Sequence, residues 1–444
     1  MKRVLCTAII AALFLGTQAT AQSPDGYLGA FQFFVRMGDT KVDPLTTRVP
    51  DVGKLDLTYM RTAMTWGEFE PEKGKFDWNN PQAQRIDAYI AAGFKVVPAI
   101  RAISGWAVKH PEARKGASAP KDMAASPDTT YGYSESYYNF IKKVAEHYKG
   151  KFDYVAIENE MHAEAFWSGT MDEYLHLLST ARKAFRDVDP GVKIADGGIQ
   201  GGALVWMIMQ GYHRMGKDGE AARLFKLFKP EENLPRRFGA MMSRRAVNES
   251  QRNALYLLEH GMCDLVDVLN FHYYPPAETL PEVVSYLRTF TGKPIMTNEI
   301  GSRFKGTGKD IEMGAADIPK KISILAAMGV KPIIWFSPPG ETGINTGAFV
   351  DHNQNIIGPT MKSFTTTARL LNKPIISSKN LSQGGLSRYS FSFGTGKVDV
   401  AWSDSAGAQI DRPASCKAYD LTGGPIDSGR IPLSQFPIFL ECSP

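Results

Sequence analysis

The chain has 444 residues, 43% hydrophobic and 22% charged, with a formal net charge of +5. Beyond one average domain in length, it predicts one large domain and a smaller one. The mild charge makes no case for nucleic acid as a partner, and four cysteines are too few for a disulfide scaffold.

The N-terminus orders a basic pair, Lys2-Arg3, an apolar stretch from Val4 to Leu15, and Ala19-Thr20-Ala21 before Gln22. This is the pattern of a secretory signal peptide over residues 1–21. Its apolar core is shorter than the roughly 20 residues needed to span a bilayer, and no later segment is long and apolar enough. The expectation is an exported protein, periplasmic or extracellular, with no membrane span. Export permits a disulfide, for which Cys416 and Cys442 are the candidates, while Cys263 has the apolar neighbours of a buried thiol.

From residue 22 to 374, short apolar runs alternate with amphipathic stretches. Strands are predicted at Tyr27–Val35, Leu57–Thr62, Lys95–Ile100, Tyr154–Ile157, Lys193–Ala195, Val266–Phe271, Pro294–Thr297 and Pro332–Phe336. Helices are predicted at Pro81–Ala92, Tyr137–Tyr148, Met171–Val188, Pro281–Thr291, Pro319–Met328 and Thr360–Leu371. Several open on proline and close on glycine, which is helix punctuation. Continuously apolar strands between helices predict a parallel sheet covered by helices. Eight such units predict a (β/α)8 barrel of the TIM type; the alternative, a doubly wound open sheet, lacks its Gly-x-Gly-x-x-Gly turn.

Between the fifth and sixth strands lies a long helical insertion, about 199–262. Its part from Arg214 to Arg252 carries ten Lys or Arg against five Asp or Glu, suited to gripping a charged glycan or simply to a solvated face. Residues 375–444 change texture, with short runs between Gly-, Ser- and Asp-rich turns, and predict a small antiparallel β module.

Two predicted strands deliver a carboxylate at their carboxyl ends: Tyr154–Ile157, running on to Glu158-Asn159-Glu160, and Pro294–Thr297, running on to Asn298-Glu299. Barrel strand ends surround one cleft, so Glu160 and Glu299 converge there. Two carboxyl groups are what glycosidic-bond hydrolysis needs, and their separation decides between retention and inversion. Glu158, two residues before Glu160, is the rival acid if the strand stays extended. Trp66, Trp106, Trp167 and Trp206 are candidates for sugar stacking or ordinary packing.

The ordered set of motifs resembles the clan A glycoside hydrolases. Asn159-Glu160 ends strand four, Glu299 ends strand seven, Arg61 ends strand two, and Trp66–Trp78 follows it. His272-x-Tyr274 on strand six is similar to family 5, and the C-terminal module resembles the β-sandwich of family 39. The resemblance implies a retaining hydrolase of a poly- or oligosaccharide. It makes Glu160 the acid/base, its pKa raised by burial and by Glu299, and Glu299 the nucleophile. It further implies that Arg61 aims Glu299, Asn159 binds the 2-hydroxyl, Tyr274 hydrogen-bonds Glu299, His272 orients a neighbour, and Trp335 floors the cleavage subsite. An inactive glycan-binding barrel and a transglycosylase are the alternatives. No His-Glu-x-x-His, Gly-x-Ser-x-Gly or cofactor motif occurs, so no metal and no cofactor is expected. The oligomeric state cannot be read from the sequence.

Overall fold

The computed structural model describes residues 26–31, 56–112, 117–125, 130–228, 245–302, 308–336, 349 and 358–444. Eight parallel strands form the main sheet. They are β1 (Leu28–Phe31), β2 (Tyr59–Thr65), β3 (Lys95–Arg101), β4 (Tyr154–Ile157), β5 (Lys193–Asp196), β6 (Leu269–Tyr273), β7 (Ile295–Ile300) and β8 (Ile333–Phe336). Neighbours pair in sequence order, and β1 also pairs with β8.

The ring closes at β5, which is broken. Its continuation, Ile199–Gln200, pairs with Phe271 and His272 of β6, and Ala195 bridges to Val268. The Asp267 amide donates to the Ile194 carbonyl at 2.8 Å across the same seam. Only the first part of the expected Tyr27–Val35 strand is described.

Strand alternation builds two layers. Tyr59, Val97, Ala99, Ala156, Ala195, Val268, Met296 and Ile334 fill the barrel interior. The alternate residues, such as Met60, Val96, Val155, Leu269 and Ile333, join the core under the helices. Those helices include α1 (Trp66–Phe69), α2 (Pro81–Ala91), α3 (Glu135–His147), α4 (Met171–Val188), α5 (Gly201–Arg214) and α6 (Asp218–Phe228). They continue with α7 (Arg245–Glu259), α8 (Met262–Leu265), α9 (Leu280–Arg288), α10 (Gly308–Ala327) and α11 (Gly358–Leu371). Local chemistry fixes their starts. Asn80 accepts from the amides of Gln82 and Ala83 ahead of Pro81, and Thr170 with Glu173 forms a capping box on α4. The proline expected to open a helix at 319 lies inside α10 instead.

The C-terminal residues make a five-stranded antiparallel sheet. Its order is β9 (Ser377–Asn380), β10 (Leu386–Phe393), β11 (Gly396–Ser403), β15 (Ile438–Cys442), β13 (Cys416–Tyr419). A second layer pairs β12 (Gln409–Asp411) with β14 (Arg430–Pro432). Ala401, Ile410, Ala418, Ile431, Ile438 and Leu440 pack between the layers, so the module is a small sandwich. The sheet's other face, with Phe391, Val400 and Phe439, joins the main core, and α10 packs against the sheet while α11 packs on α10. Cys416 and Cys442 are register partners on β13 and β15 and are joined by a disulfide; Cys263 is a buried free thiol. No described helix is long and apolar enough to cross a membrane.

Candidate active site

β4 ends at Ile157, and the chain then turns. Glu158 and Glu160 both adopt positive φ, +72° and +46°, in the left-handed region that L residues with long side chains avoid. The turn is held from outside: the Glu158 amide donates to the Ile100 carbonyl and the Glu160 amide to the Gly197 carbonyl, each at 2.9 Å. Because extension stops at Ile157, Glu158 and Glu160 have different surroundings. Glu158 is fully buried, accepting from Arg101 Nε at 2.9 Å and the Ala102 amide at 2.5 Å. Burial raises its pKa, opposed by the Arg101 guanidinium. It is a tie between strand ends, and the sequence's rival acid is thereby committed elsewhere.

Glu160 faces the barrel mouth. His272 Nδ1 stands 2.9 Å from its Oε1, and Gln200 Nε2 donates to its Oε2 at 2.5 Å. Burial pushes the carboxyl up, but the His272 hydrogen bond and charge, with the Gln200 amide, pull it down to about 2. This departs from the raised pKa that the sequence led one to expect, because the donors outweigh desolvation in the unliganded site.

Glu299 reaches the same mouth through an irregularity in β7. The register shifts between Asn270 and His272 on one side and between Thr297 and Ile300 on the other. Such a shift re-aims side chains. Arg61 Nη1 donates to Glu299 Oε2 at 2.5 Å, and Tyr274 Oη donates to Oε1 at 2.7 Å. Arg61 Nη2 donates to Asn159 Oδ1 at 2.6 Å, so one guanidinium orients both the Glu299 carboxylate and the Asn159 amide. His272 Nδ1 is 3.6 Å from Glu299 Oε2, between the two acids. A carboxylate oxygen of Glu160 and one of Glu299 approach within 4.8 Å of each other.

The fold thus brings together Glu160, Glu299, Arg61, Asn159, His272 and Tyr274. The tryptophans are placed otherwise. Trp335 is fully buried under the helices, because alternation along β8 turns Ile334 inward and Trp335 outward. Phe336, the next residue, stands edge-on to Tyr274 at 5.8 Å. Trp66 is also fully buried, stacked on Phe140 at 5.3 Å, with its indole donating to Glu70 at 2.7 Å. Trp106 packs edge-on to Trp66 and donates to the Glu70 carbonyl at 2.8 Å. Trp167 and Trp206 are buried as well. Trp66 and Trp106 spend their indoles on protein neighbours, whereas Trp167, which donates to the Thr170 carbonyl at 3.0 Å, also lines a cavity beside Met161.

Residues beyond the expected set complete the site. Asn298 Oδ1 accepts from His272 Nε2 at 2.8 Å and from Asn270 Nδ2 at 2.9 Å. Asp196, buried below them, accepts from the Asn270 and Gly198 amides at 2.8 Å. Asn298 directly precedes Glu299 as Asn159 precedes Glu160, a parallel that the sequence does show. Gln200 had no such signal, since its use depends on the break in β5.

Glu160, His272 and Glu299 are also the types of group that ligate metals. However, each of their four carboxylate oxygens already meets a donor: His272 and Gln200 on Glu160, Arg61 and Tyr274 on Glu299. Arg61, a fixed cation against Glu299, disfavours a metal ion there. The donor set fits two carboxylates working as such.

No family model matches the chain, and no curated protein matches it. Solved structures do. A family 39 glycoside hydrolase from Bacteroides cellulosilyticus WH2 superposes with TM-score 0.61 at 17% identity, over 94% of this chain and 80% of that one. A family 39 β-xylosidase from Caulobacter crescentus gives 0.60 at 13% identity, over 96% and 98%. A family 30 endoxylanase from Clostridium papyrosolvens C71 gives 0.53 at 12%, over 95% and 97%. The chain therefore has the fold of these structures, a (β/α)8 barrel with a C-terminal β-sandwich. The structures it resembles include glycoside hydrolases of families 39 and 30.

Proposed function

We propose that the protein is a retaining glycoside hydrolase that cleaves a poly- or oligosaccharide by double displacement. The observation that carries this is the approach of the Glu160 and Glu299 oxygens within 4.8 Å, with separate donors on each carboxylate. Retaining enzymes hold their carboxyl groups about 5–5.5 Å apart, and inverting ones about 6.5–9.5 Å. The structures it resembles, hydrolases of families 39 and 30, support the same reading.

In this reading Glu299 attacks the anomeric carbon as the glycosidic bond breaks. Arg61 and Tyr274 hold its two oxygens, which leaves a lone pair aimed into the cleft. The proton for the leaving oxygen comes from Glu160. His272 Nε2 donates to Asn298, so one proton is shared along the 2.9 Å line between His272 Nδ1 and Glu160 Oε1. His272 is thus a second seat for the proton that Glu160 delivers. Asn159, fixed by Arg61, is placed to bind a sugar hydroxyl. Once Glu299 is glycosylated, Glu160 takes a proton from water and the intermediate is hydrolysed.

The signal-peptide pattern of the N-terminal sequence supports a reaction outside the cytoplasm. Within the basic insertion, whose charge suggests a charged glycan, one cation is already engaged. Arg223 is already paired with Glu220 and Glu282. The cavity of about 420 Å³ beside Met161 is lined by Glu112, Glu164 and Glu249. Neither Glu160 nor Glu299 lines that cavity, so its acidic side chains do not set the substrate's charge.

A panel of aryl glycosides and polysaccharides tests the proposal, with Glu299→Ala as the control. Cleavage of at least one glycan by the wild type, lost in the variant, is expected. Binding without cleavage across the panel would instead establish a glycan-binding barrel, and transfer of the sugar to a second sugar would establish a transglycosylase.

A further inference from the structure

Strand five is interrupted at Gly197-Gly198, where Gly198 has φ +86°. Glycine is sterically required at both positions. A Cβ on Gly197 would lie 2.7 Å from the Glu158 backbone, and one on Gly198 would lie 2.3 Å from the His272 ring. Asp196 holds the turn by accepting from the Gly198 amide at 2.8 Å. The strand then resumes at Ile199–Gln200 against β6. Gln200 directly precedes α5, yet its side chain caps nothing in that helix. Its amide instead donates to Glu160 Oε2. Its backbone N–H points to Nε2 of His162, 3.4 Å away in the buried loop after β4.

We propose that Gln200 is a positioning residue for the acid/base carboxylate, and that the Gly197-Gly198 break exists to bring its amide onto Glu160. The proposal rests on the reading of Glu160 above. With Gln200 on Oε2 and His272 on Oε1, the carboxyl group cannot rotate without losing a partner. Its orientation toward the leaving oxygen is set before substrate arrives, which is the preorganisation that proton delivery needs. Gln200 presents an N–H, so it also favours the charged form of Glu160. The other groups facing Glu160 are His272 from β6, His162 from its own loop and Glu299 from β7.

The test does not depend on knowing the substrate. Protein labelled with [δ-13C]glutamate is titrated by NMR, with the Glu160 resonance assigned by its loss in Glu160→Gln. Gln200→Met keeps the bulk and removes the donor, and Gln200→Glu keeps the shape and reverses the polarity. A hydrogen bond to a charged group corresponds to a shift of about one to two pH units. The Glu160 midpoint is expected to rise by about that much in Gln200→Met. In Gln200→Glu the two carboxyls should hold a shared proton to higher pH than the wild-type residue does. On any glycoside the wild type cleaves, the alkaline limb of kcat/KM should move up with the NMR midpoint, while KM changes little. An unmoved midpoint in the folded variants would overturn the role of Gln200. A shifted midpoint in a protein that cleaves no glycan would instead refute only the hydrolase reading.

Discussion

Arg61 is the residue on which most of the site's geometry turns. It is almost fully buried, and its two terminal nitrogens reach Glu299 and Asn159 separately. Lysine carries the same charge but is a point donor without the planar fork. Arg61→Lys should therefore keep Glu299 near a cation while releasing Asn159. Losing one hydrogen bond to a charged group is worth about 1.5–3 kcal/mol, or about 10- to 150-fold in rate. The expected result is a kcat/KM reduced by that factor with thermal stability little changed, read by steady-state kinetics and a melting curve. At this scale the sequence was informative where a strand end met a polar residue: Glu160, Glu299, Arg61, His272 and Tyr274 all converge. It misled where facing mattered. Trp335 and Phe336 are adjacent aromatics on a four-residue strand, and only the closed ring shows which one faces inward. It was silent on Gln200, because a glutamine two residues beyond a glycine pair has no chemistry of its own until the strand bends it onto a carboxylate.

The elements of the barrel were legible because parallel strands buried on both faces are apolar throughout, and residues such as Pro81 and Gly93 mark where a helix starts and stops. Broken elements were not. β5 reads as one short run, since its continuation is two residues long. α10 reads as beginning at its proline, although an N–H missing from one interior position did not end the helix. The loop after β4 contributes a buried group that links folding to pH. His162 is fully buried, and burial holds its pKa down to about 4, against an ordinary value of 6.5. The unfolded chain therefore takes up this proton first as the pH falls. The stability contribution is complete above pH 6.5 and is lost progressively toward pH 4. Asp196 acts in the opposite sense: burial raises it to about 6, so its contribution is present below its ordinary 3.8 and lost as the pH rises through 6. Comparison with a variant isolates the histidine. Between pH 7 and pH 5, wild type should lose about 2 kcal/mol more than His162→Gln in urea unfolding. Equal losses would mean that His162 titrates normally.

At the scale of the molecule, the barrel supplies the cleft and the sandwich supplies a second layer of core. The five-stranded sheet packs against α10, and Arg369 of α11 lies over the Tyr419 ring at 5.0 Å. This packing explains why the change of texture after Pro374 could be read as a module, although the sequence did not show which face meets the barrel. The basic insertion lies partly outside the described residues; of its described arginines, Arg223 is paired with Glu220 and Glu282. The function rests on the two carboxylates, and one measurement addresses them together. The protein is incubated with a panel of 2-deoxy-2-fluoro glycosides bearing a good leaving group, and peptides are mapped by mass spectrometry. The account predicts one covalently bound fluorosugar, on the peptide containing Glu299, with labelling abolished in Glu299→Ala. Hydrolysis of a matching glycan to the inverted anomer with no labelled peptide, or a label on Glu160, would contradict it.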